Sequence, residues 1–589
     1  MNGSGRQCSR LSDFKYEEKK RVYVPSESGK SYPGNFLYSD GIGVENYILR
    51  KIKKAVDLSD NSEELMTAVR DWPSYYHLGA GRSNIFKALD LPAESDVLEL
   101  GSGCGALTRY LGENFKSVDG VEGSHLRAQI ASERCRGLKN VKIHCSDIGS
   151  IEFTPVYDVV VMAGVLEYAP LYCDGNGYNS CSGLIRDVKS ALKPDGVLVI
   201  AIENKIGIKY WAGCPEDHTG RIYESIQGYP TKKSPVTFSK KEITEILNVN
   251  GLNDICFYYC FPDYKFTSVI FSDIGKGEEL YLHNWVKVPF SGYDVPRIYT
   301  FHEGLVLRTL SQAGVLRDFA NSFLIVAGQD TAAVHKPDWS AKKFTTINRR
   351  KEYRCVTTLR GEPHPHIEKA VLEYEEKTDK GNSGIRHIVS DSSWYKGDLL
   401  IFDIYKILLM KNFRGKLFDL MKKYYEELLK RYSTGDNDEE GFPLLRSESL
   451  DFIFRNIIKR GDEIVPIDME WAMDRPIPAD YVLYRCVLDI IEAQYAGRNK
   501  RIKSPDRFAV QMIKKFLPLY GRRRHYENKL VERHFQSLVT TGSSIERIIR
   551  LGKTSVLKNR AVLPLTRTIW NRFFRKAGSS EPVKNHQGS

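Results

Sequence analysis

Several things are missing from this 589-residue chain, and each absence excludes a class. No apolar run approaches the ~18 residues that a membrane-spanning helix needs. The opening MNGSGRQCSRLSDFKYEEKK has no apolar core of a secretory signal, so none is expected. The 11 cysteines form no CxxC pair, and the closest two are Cys256 and Cys260. That scatter argues against a zinc site or a disulfide framework and for reduced thiols in a cytoplasmic protein. No internal repeat is found. Acidic residues are scarce in one place: residues 498–577 hold 21 Lys and Arg against 4 Asp and Glu, so the net charge of +12 is concentrated there. Such a segment implies an anionic neighbour, whether membrane surface, phosphorylated ligand or nucleic acid.

What is present describes a globular chain. Hydrophobic residues make up 42% and charged residues 27%, which excludes a mostly disordered protein. At ~100–200 residues per domain the length predicts about two to four domains. Residues 1–40 are polar and Gly/Ser/Pro-rich and are expected to be flexible. Residues 41–95 read as helical, with an Asn61/Ser62 cap opening NSEELMTAVRDW. From residue 96 five short apolar runs (SDVLELGSGCG, SVDGVEG, VKIHCSD, YDVVVMAGVLE, GVLVIAIEN) alternate with helix-like segments. LNDICFYYCFP and DFANSFLIVAG supply two further strands. Alternation of this kind predicts an α/β fold with a seven-stranded, doubly wound, Rossmann-like sheet over 41–328. GQDTAAVHKPDWSAKK reads as a linker, a second unit follows over 340–497, and 498–589 reads as a basic helical tail.

In VLELGSGCGALTRYL, residues 97–111, a strand carrying Glu99 runs into Gly101, Gly103 and Gly105 and then a helix. Glycines there let backbone approach a ligand that faces the helix N-terminus. The alternate-position spacing is not the GxGxxG of pyrophosphate-binding folds. It resembles motif I of class I S-adenosylmethionine-dependent methyltransferases. By that resemblance Glu122, at the end of the second strand, accepts the ribose hydroxyls, as carboxylates do in dinucleotide folds. Asp147 sits where the family contacts the adenine amine, and Met162–Glu167 where it shapes the methyl-donor end. A nicotinamide enzyme is the rival reading.

The acceptor side is expected in residues 200–230, beyond a strand end, where Glu203, Asn204, Glu216, Asp217, His218, Arg221 and Tyr229 crowd together. His218 is the candidate general base. His77, Arg82 and Asn84 form a second polar group upstream. These two segments resemble a bacterial methyltransferase group found with cell-surface glycan assembly enzymes.

LDFIFRNIIKRGDEIVPIDMEW, residues 450–471, resembles the catalytic segment of kinase-like phosphotransferases. The resemblance implies Asp451 as acceptor base and Asn456 and Asp468 as Mg2+ ligands, with Lys369 gripping the ATP phosphates and Glu375 or Glu376 beside it. YKGDLLIFDIYK would be a small-lobe strand and RGKLFDLMKKYYEELLKRY a large-lobe helix. The departures are a missing glycine-rich loop, SESL in place of HRD, and Asp468-Met469-Glu470 in place of DFG. The domain order is similar to that of the bifunctional methyltransferase–kinases that terminate O-antigen polysaccharides. That implies modification of the terminal sugar of a surface glycan, a lipid-linked saccharide acceptor and glycosyltransferase partners. The alternatives are a monofunctional sugar methyltransferase with a degenerate kinase-like scaffold, and a non-catalytic glycan-assembly protein. In the tail, Trp570, Phe573 and Phe574 lie among Arg567, Arg572, Arg575 and Lys576. Aromatics within a basic segment suit a peripheral position on the anionic inner face of the cell membrane, and nucleic acid is not expected.

Overall fold

The computed structural model describes residues 8–26, 39–172, 177–230, 235–275, 277–293, 295–329, 334–361, 364–372, 384–461, 463–497 and 501–541. Its organising element is a single 14-stranded sheet. Ten strands come from the region before residue 329: β1 (Lys15–Glu17), β2 (Val22–Val24), β3 (Asp96–Leu100), β4 (Ser117–Glu122), β5 (Val141–Cys145), β6 (Tyr157–Ala163), β7 (Leu192–Glu203), β8 (Asp254–Phe261), β9 (Val269–Phe271) and β10 (Ser322–Gly328). Across the central part the order is β5-β4-β3-β6-β7-β10-β8. β10 runs antiparallel to both β7 and β8, while β3 through β7 pair in parallel. The chain winds outward from β3 to β5, then returns to β6. The switch therefore lies between β3 and β6, where such sheets form a crevice beyond their carboxyl ends.

The strands read as nearly unbroken apolar runs because helices cover both faces. Successive residues alternate between two cores. Leu98, Leu100, Val160, Met162, Leu198 and Ile200 pack with Ile185, Val188, Ile243 and Ile246 on one face. Val97, Val159, Val161, Val197 and Val199 pack with Ile85, Phe86, Leu107 and Leu111 on the other.

Four expectations are corrected. Part of the segment expected to be flexible, residues 15–24, forms a hairpin on the sheet edge beside β5. Its anchor is Val22, buried against Ala128, Ala131 and Ile143. NSEELMTAVRDW is not one helix. Ser62 caps only Glu63–Met66, and Asp71 with Ser74 forms a capping box that starts Trp72–Leu78 afresh. The seven-stranded sheet does not end at β8. β9 pairs with β11 (Trp339–Phe344), which continues into β12 (Cys355–Arg360) and β13 (His366–Val371). The end of the expected linker is thus a strand. Finally, YKGDLLIFDIYK becomes the helix Ile401–Leu409, because Ile401, Phe402, Ile404 and Leu408 fall on one helical face and are buried.

The remainder packs helices Phe413–Tyr432, Ala479–Ala493, Pro505–Lys514 and Arg522–Val539 about a core including Leu417, Met421, Leu428, Phe452, Val487 and Ile490. A hairpin, Ile457–Arg460 with Glu463–Pro466, lies between Asn456 and Asp468. Ion pairs join the halves: Asp398 meets His283 at 2.8 Å and Arg308 at 2.6 Å. Among the described residues no helix is long and apolar enough to cross a membrane. Residues 558–578, Glu375 and Glu376 lie outside the described residues.

Candidate functional sites

The first site is the crevice at the end of β3. Gly101, Gly103 and Gly105 all take positive φ (+76°, +55° and +79°) before helix Ala106–Asn114. The loop is pinned to β4: the Gly101 and Ser102 N–H groups donate to the Val121 carbonyl at 2.8 and 2.9 Å. Glu122 accepts the Gly103 and Ser124 N–H groups, both at 2.8 Å. The three glycines serve different ends. A Cβ at Gly101 would sit 2.5 Å from Val165, and one at Gly105 would sit 2.8 Å from the Ala131 Cα. A Cβ at Gly103 would meet nothing within 4 Å. Gly101 and Gly105 thus satisfy the protein's own packing, whereas Gly103 keeps the crevice open to a ligand.

Glu99 is 2% exposed and accepts the Thr108 hydroxyl at 2.5 Å. Burial pushes its carboxyl up to about 7, against that hydrogen bond. Its contact is with the helix after the loop. Burial likewise raises Glu122 above the ordinary carboxylate range, opposed by Arg127. Asp147 is half-buried and caps the turn Ile148–Ser150, accepting the Gly149 N–H at 3.3 Å.

Beyond β6 and β7 lies a cavity of about 110 Å³, lined by residues including Gly164, Glu167, Lys209, His218, Tyr264 and Lys265. The structure brings Glu203, Glu216, Asp217 and His218 together here. His218 Nδ1 lies 2.8 Å from Glu216, and Nε2 lies 3.4 Å from Glu167 and 3.7 Å from Glu203. Burial alone would depress the imidazole, but Glu203, Glu167 and Glu216 raise it well above its ordinary value. A neutral, proton-accepting imidazole is therefore disfavoured while the three carboxylates stay ionised. Asp217 pairs with Lys209 at 2.6 Å and Lys265 at 2.7 Å. Tyr229 accepts the Thr237 N–H at 3.1 Å, and Arg221 is exposed beside Glu224. Asn204, Arg82 and Asn84 donate to backbone carbonyls of residues 318 and 320, 265 and 267 respectively. Of these, Arg82 ties down Lys265, which lines the cavity. His77 pairs with Asp40 at 2.8 Å.

Sequence reasoning passed over Lys209, Asp263, Lys265 and Tyr293. The signal was available in part: β8 runs in the same direction as β7, so the loop after it reaches the same sheet edge.

The second site gathers Lys369, Asp451, Asn456 and Asp468. Lys369, on β13, reaches Asp468 at 2.6 Å and also pairs with Glu470. Lys343, on β11, holds the other Asp468 oxygen at 3.0 Å. The two lysines draw Asp468 far below its ordinary range, although burial opposes them. Asn456 Nδ2 donates to the Asp451 carbonyl at 3.1 Å and the Asp468 carbonyl at 3.4 Å. Asp451 is buried. One oxygen accepts the Glu470 and Trp471 N–H groups at 2.9 and 2.8 Å, and the other meets Arg485 at 3.3 Å. Burial raises its carboxyl to about 6, against Arg485.

Comparison with known proteins bears on the first site. Residues 98–198 match a family model described as a methyltransferase domain. Demethylmenaquinone methyltransferase of Tropheryma whipplei (strain Twist) is 30% identical over 115 residues, 19% of this chain and 44% of that protein. The chain therefore spans less than half the length of the curated relatives it matches. Similar solved structures include Haemonchus contortus phosphoethanolamine N-methyltransferase 2 in complex with S-adenosyl-L-methionine. It is 17% identical, with 52% of this chain and 61% of that chain covered and a TM-score of 0.30. N-methyltransferase NodS from Bradyrhizobium japonicum WM9, in complex with S-adenosyl-l-homocysteine, is 20% identical, with 27% and 74% covered and a TM-score of 0.20.

The family match falls on β3 through β7 and on the glycine loop. The stretch that matches a methyltransferase domain is thus set within a larger mixed α/β architecture.

Proposed function

We propose that the protein methylates the terminal sugar, or a phosphate on it, of a cell-surface polysaccharide such as O-antigen. The observation that carries this reading is the pairing of two features at one sheet edge: the open crevice at Gly103, and a charged cavity beyond β6 and β7 suited to a polar acceptor. Residues 101–105, Glu122 and Asp147 would hold the cofactor, which supplies an electrophilic methyl group when bound. The Gly103 loop gives it room, Glu122 faces the ribose hydroxyls, and the β6 end at Gly164–Glu167 borders the methyl-donor end. On the acceptor side, Lys209 and Lys265 offer donors for sugar or phosphate oxygens, and His218 stands beside them held by its carboxylates. Lining such a cavity with fixed donors aligns an acceptor with the sulfonium, where much of the rate of methyl transfer arises.

The second half adds a kinase-like phosphotransfer site in this reading, with Lys369 for ATP phosphates, Asp451 near the acceptor, and Asn456 and Asp468 for Mg2+. The present hydrogen bonds favour a second reading of this half. Both Asp451 oxygens are engaged by protein donors, and Asp468 is neutralised by Lys343 and Lys369, as suits a degenerate scaffold beside a monofunctional methyltransferase. A lipid-linked saccharide, glycosyltransferase partners and an anionic membrane held by residues 558–578 complete the proposal.

Mass spectrometry of the polysaccharide terminus, from cells with and without the gene, tests it. Loss of a methyl-phosphate supports both halves. Loss of methyl alone supports the scaffold reading. An unchanged terminus contradicts the glycan assignment.

A further inference from the structure

The acceptor cavity is backed by a buried ion-pair network that holds more negative charge than its own cations balance. Five carboxylates (Glu167, Glu203, Glu216, Asp217 and Asp263) are linked through Lys209, Lys265 and His218. Even with His218 protonated, acids outnumber bases by two.

The shortfall is localised. The lysines serve Asp217, Asp263 and one oxygen of Glu203. Glu216 is served by the His218 ring and by the N–H groups of His218 and Thr219 at 3.0 and 2.7 Å. Both Glu167 oxygens and Oε2 of Glu203, on side chains that are 0% exposed, accept no well-formed hydrogen bond; what stands near them is His218 Nε2, 3.4 Å from Glu167 and 3.7 Å from Glu203. Leaving buried carboxylate oxygens uncompensated costs several kcal/mol, so such groups normally find a cation or a proton.

These oxygens converge with one imidazole nitrogen. Donor atoms of Glu167, Glu203 and His218 all lie within 4.8 Å of one another, a spacing that one ion bonded at ~2.0–2.2 Å to each can bridge with small side-chain shifts. The other ring nitrogen of His218 is held by Glu216 at 2.8 Å. A carboxylate behind the ring fixes the tautomer and turns Nε2 toward the gap, which is the outer-shell arrangement typical of metal-ligating histidines.

We propose that Glu167, Glu203 and His218 form a site for one divalent transition-metal ion of the Mn2+, Co2+ or Zn2+ class, open on its cavity side to an oxygen of the acceptor. Two carboxylates with one imidazole suit these borderline ions better than Ca2+ or Mg2+, which prefer all-oxygen shells. Three protein ligands leave coordination positions free, and Glu167 and His218 border the cavity. The ion would anchor and orient an acceptor hydroxyl or phosphate oxygen beside the methyl-donor end of β6. That acceptor role rests on the methyltransferase reading above, whereas the metal site itself does not.

The test uses the full chain, stripped with chelator and titrated with MnCl2 while free Mn2+ is followed by electron paramagnetic resonance. One Mn2+ per chain is expected. Glu167→Gln and His218→Gln should each weaken it roughly tenfold or more. Glu152→Gln, at an exposed carboxylate paired with Arg10, should leave it unchanged. CoCl2 titration should give visible absorption bands that the same two variants lose. Calorimetry with S-adenosylhomocysteine shows whether each variant keeps its sheet intact. Wild type that binds none of Mn2+, Co2+ or Zn2+ at millimolar concentration overturns the proposal, as does equal binding by folded Glu167→Gln and His218→Gln. Cofactor binding without metal binding sinks this inference alone; metal binding without cofactor binding leaves the site standing and removes its link to methyl transfer.

Discussion

Gly103→Ala and Gly105→Ala are predicted to fail in opposite ways. Both positions have positive φ, which costs an alanine roughly 1–2 kcal/mol. At Gly103 nothing further is added, since the new methyl meets no protein atom within 4 Å. At Gly105 the methyl would lie 2.8 Å from the Ala131 Cα and 3.1 Å from its carbonyl oxygen. These are backbone atoms of helix His125–Arg134 and cannot swing aside, so overpacking adds about 1–3 kcal/mol. Gly105→Ala should therefore lose about 3 kcal/mol in total. With a shift of roughly 2–4 °C per kcal/mol, its first melting transition should fall by about 10 °C and that of Gly103→Ala by only a few degrees. Cofactor binding reverses the ranking of interest. The Gly103 methyl would project into the space reserved for the ligand and should weaken S-adenosylhomocysteine by roughly tenfold or more while the fold persists. Thermal melts followed by circular dichroism, with calorimetry at 25 °C, read both quantities. A well-folded Gly103→Ala that binds the ligand as tightly as wild type would refute the placement of the cofactor along this loop.

Three further outcomes are expected. Glu99→Gln should flatten the pH dependence of stability. The native carboxyl titrates at about 7 against an ordinary 4.5, so between these values the folded chain keeps a proton that the unfolded chain has released. Glu99 then contributes a loss of about 3 kcal/mol as pH rises through that window, and denaturation across pH 4–8 should show a slope in wild type that the variant reduces by that amount, leaving the part due to Asp451 and Glu122. Lys369→Met should abolish transfer of labelled phosphate from ATP to a glycan acceptor while leaving S-adenosylhomocysteine binding intact. Transfer at the wild-type rate would remove Lys369 from the kinase-like site, and no transfer even by wild type favours the scaffold. Removal of residues 558–589 should release the chain from anionic liposomes, and unchanged binding in a sedimentation assay contradicts the membrane role of that segment.

Parts of this architecture were legible in the sequence for physical reasons. β3 through β7 are buried on both faces, which writes them as nearly unbroken apolar runs, and the alternate-position glycines mark a tight turn after β3, although only Gly103 leaves its space open while Gly101 and Gly105 answer to packing. The continuation of the sheet was hidden. Its bridge, β9, is three residues long, and β11 carries Lys342 and Lys343, which read as linker polarity. Lys343 is polar because it pairs with Asp468, a contact spanning 125 residues that no local pattern encodes. Ile401–Leu409 was misread because isoleucine and phenylalanine favour strands, a preference that tertiary packing overrides. The acceptor network was half visible: Glu216, Asp217 and His218 are adjacent in sequence, but Lys209, Asp263 and Lys265 join them only through the fold.

The central claim is that the methyl donor lies along residues 101–105 with its ribose on Glu122. A crystal structure of the full chain with S-adenosylhomocysteine tests it most directly. The expected density runs past Gly103, places the ribose hydroxyls on the Glu122 carboxylate and points the sulfur toward Gly164–Glu167. An empty crevice at saturating ligand, or a nicotinamide dinucleotide retained there instead, would contradict it.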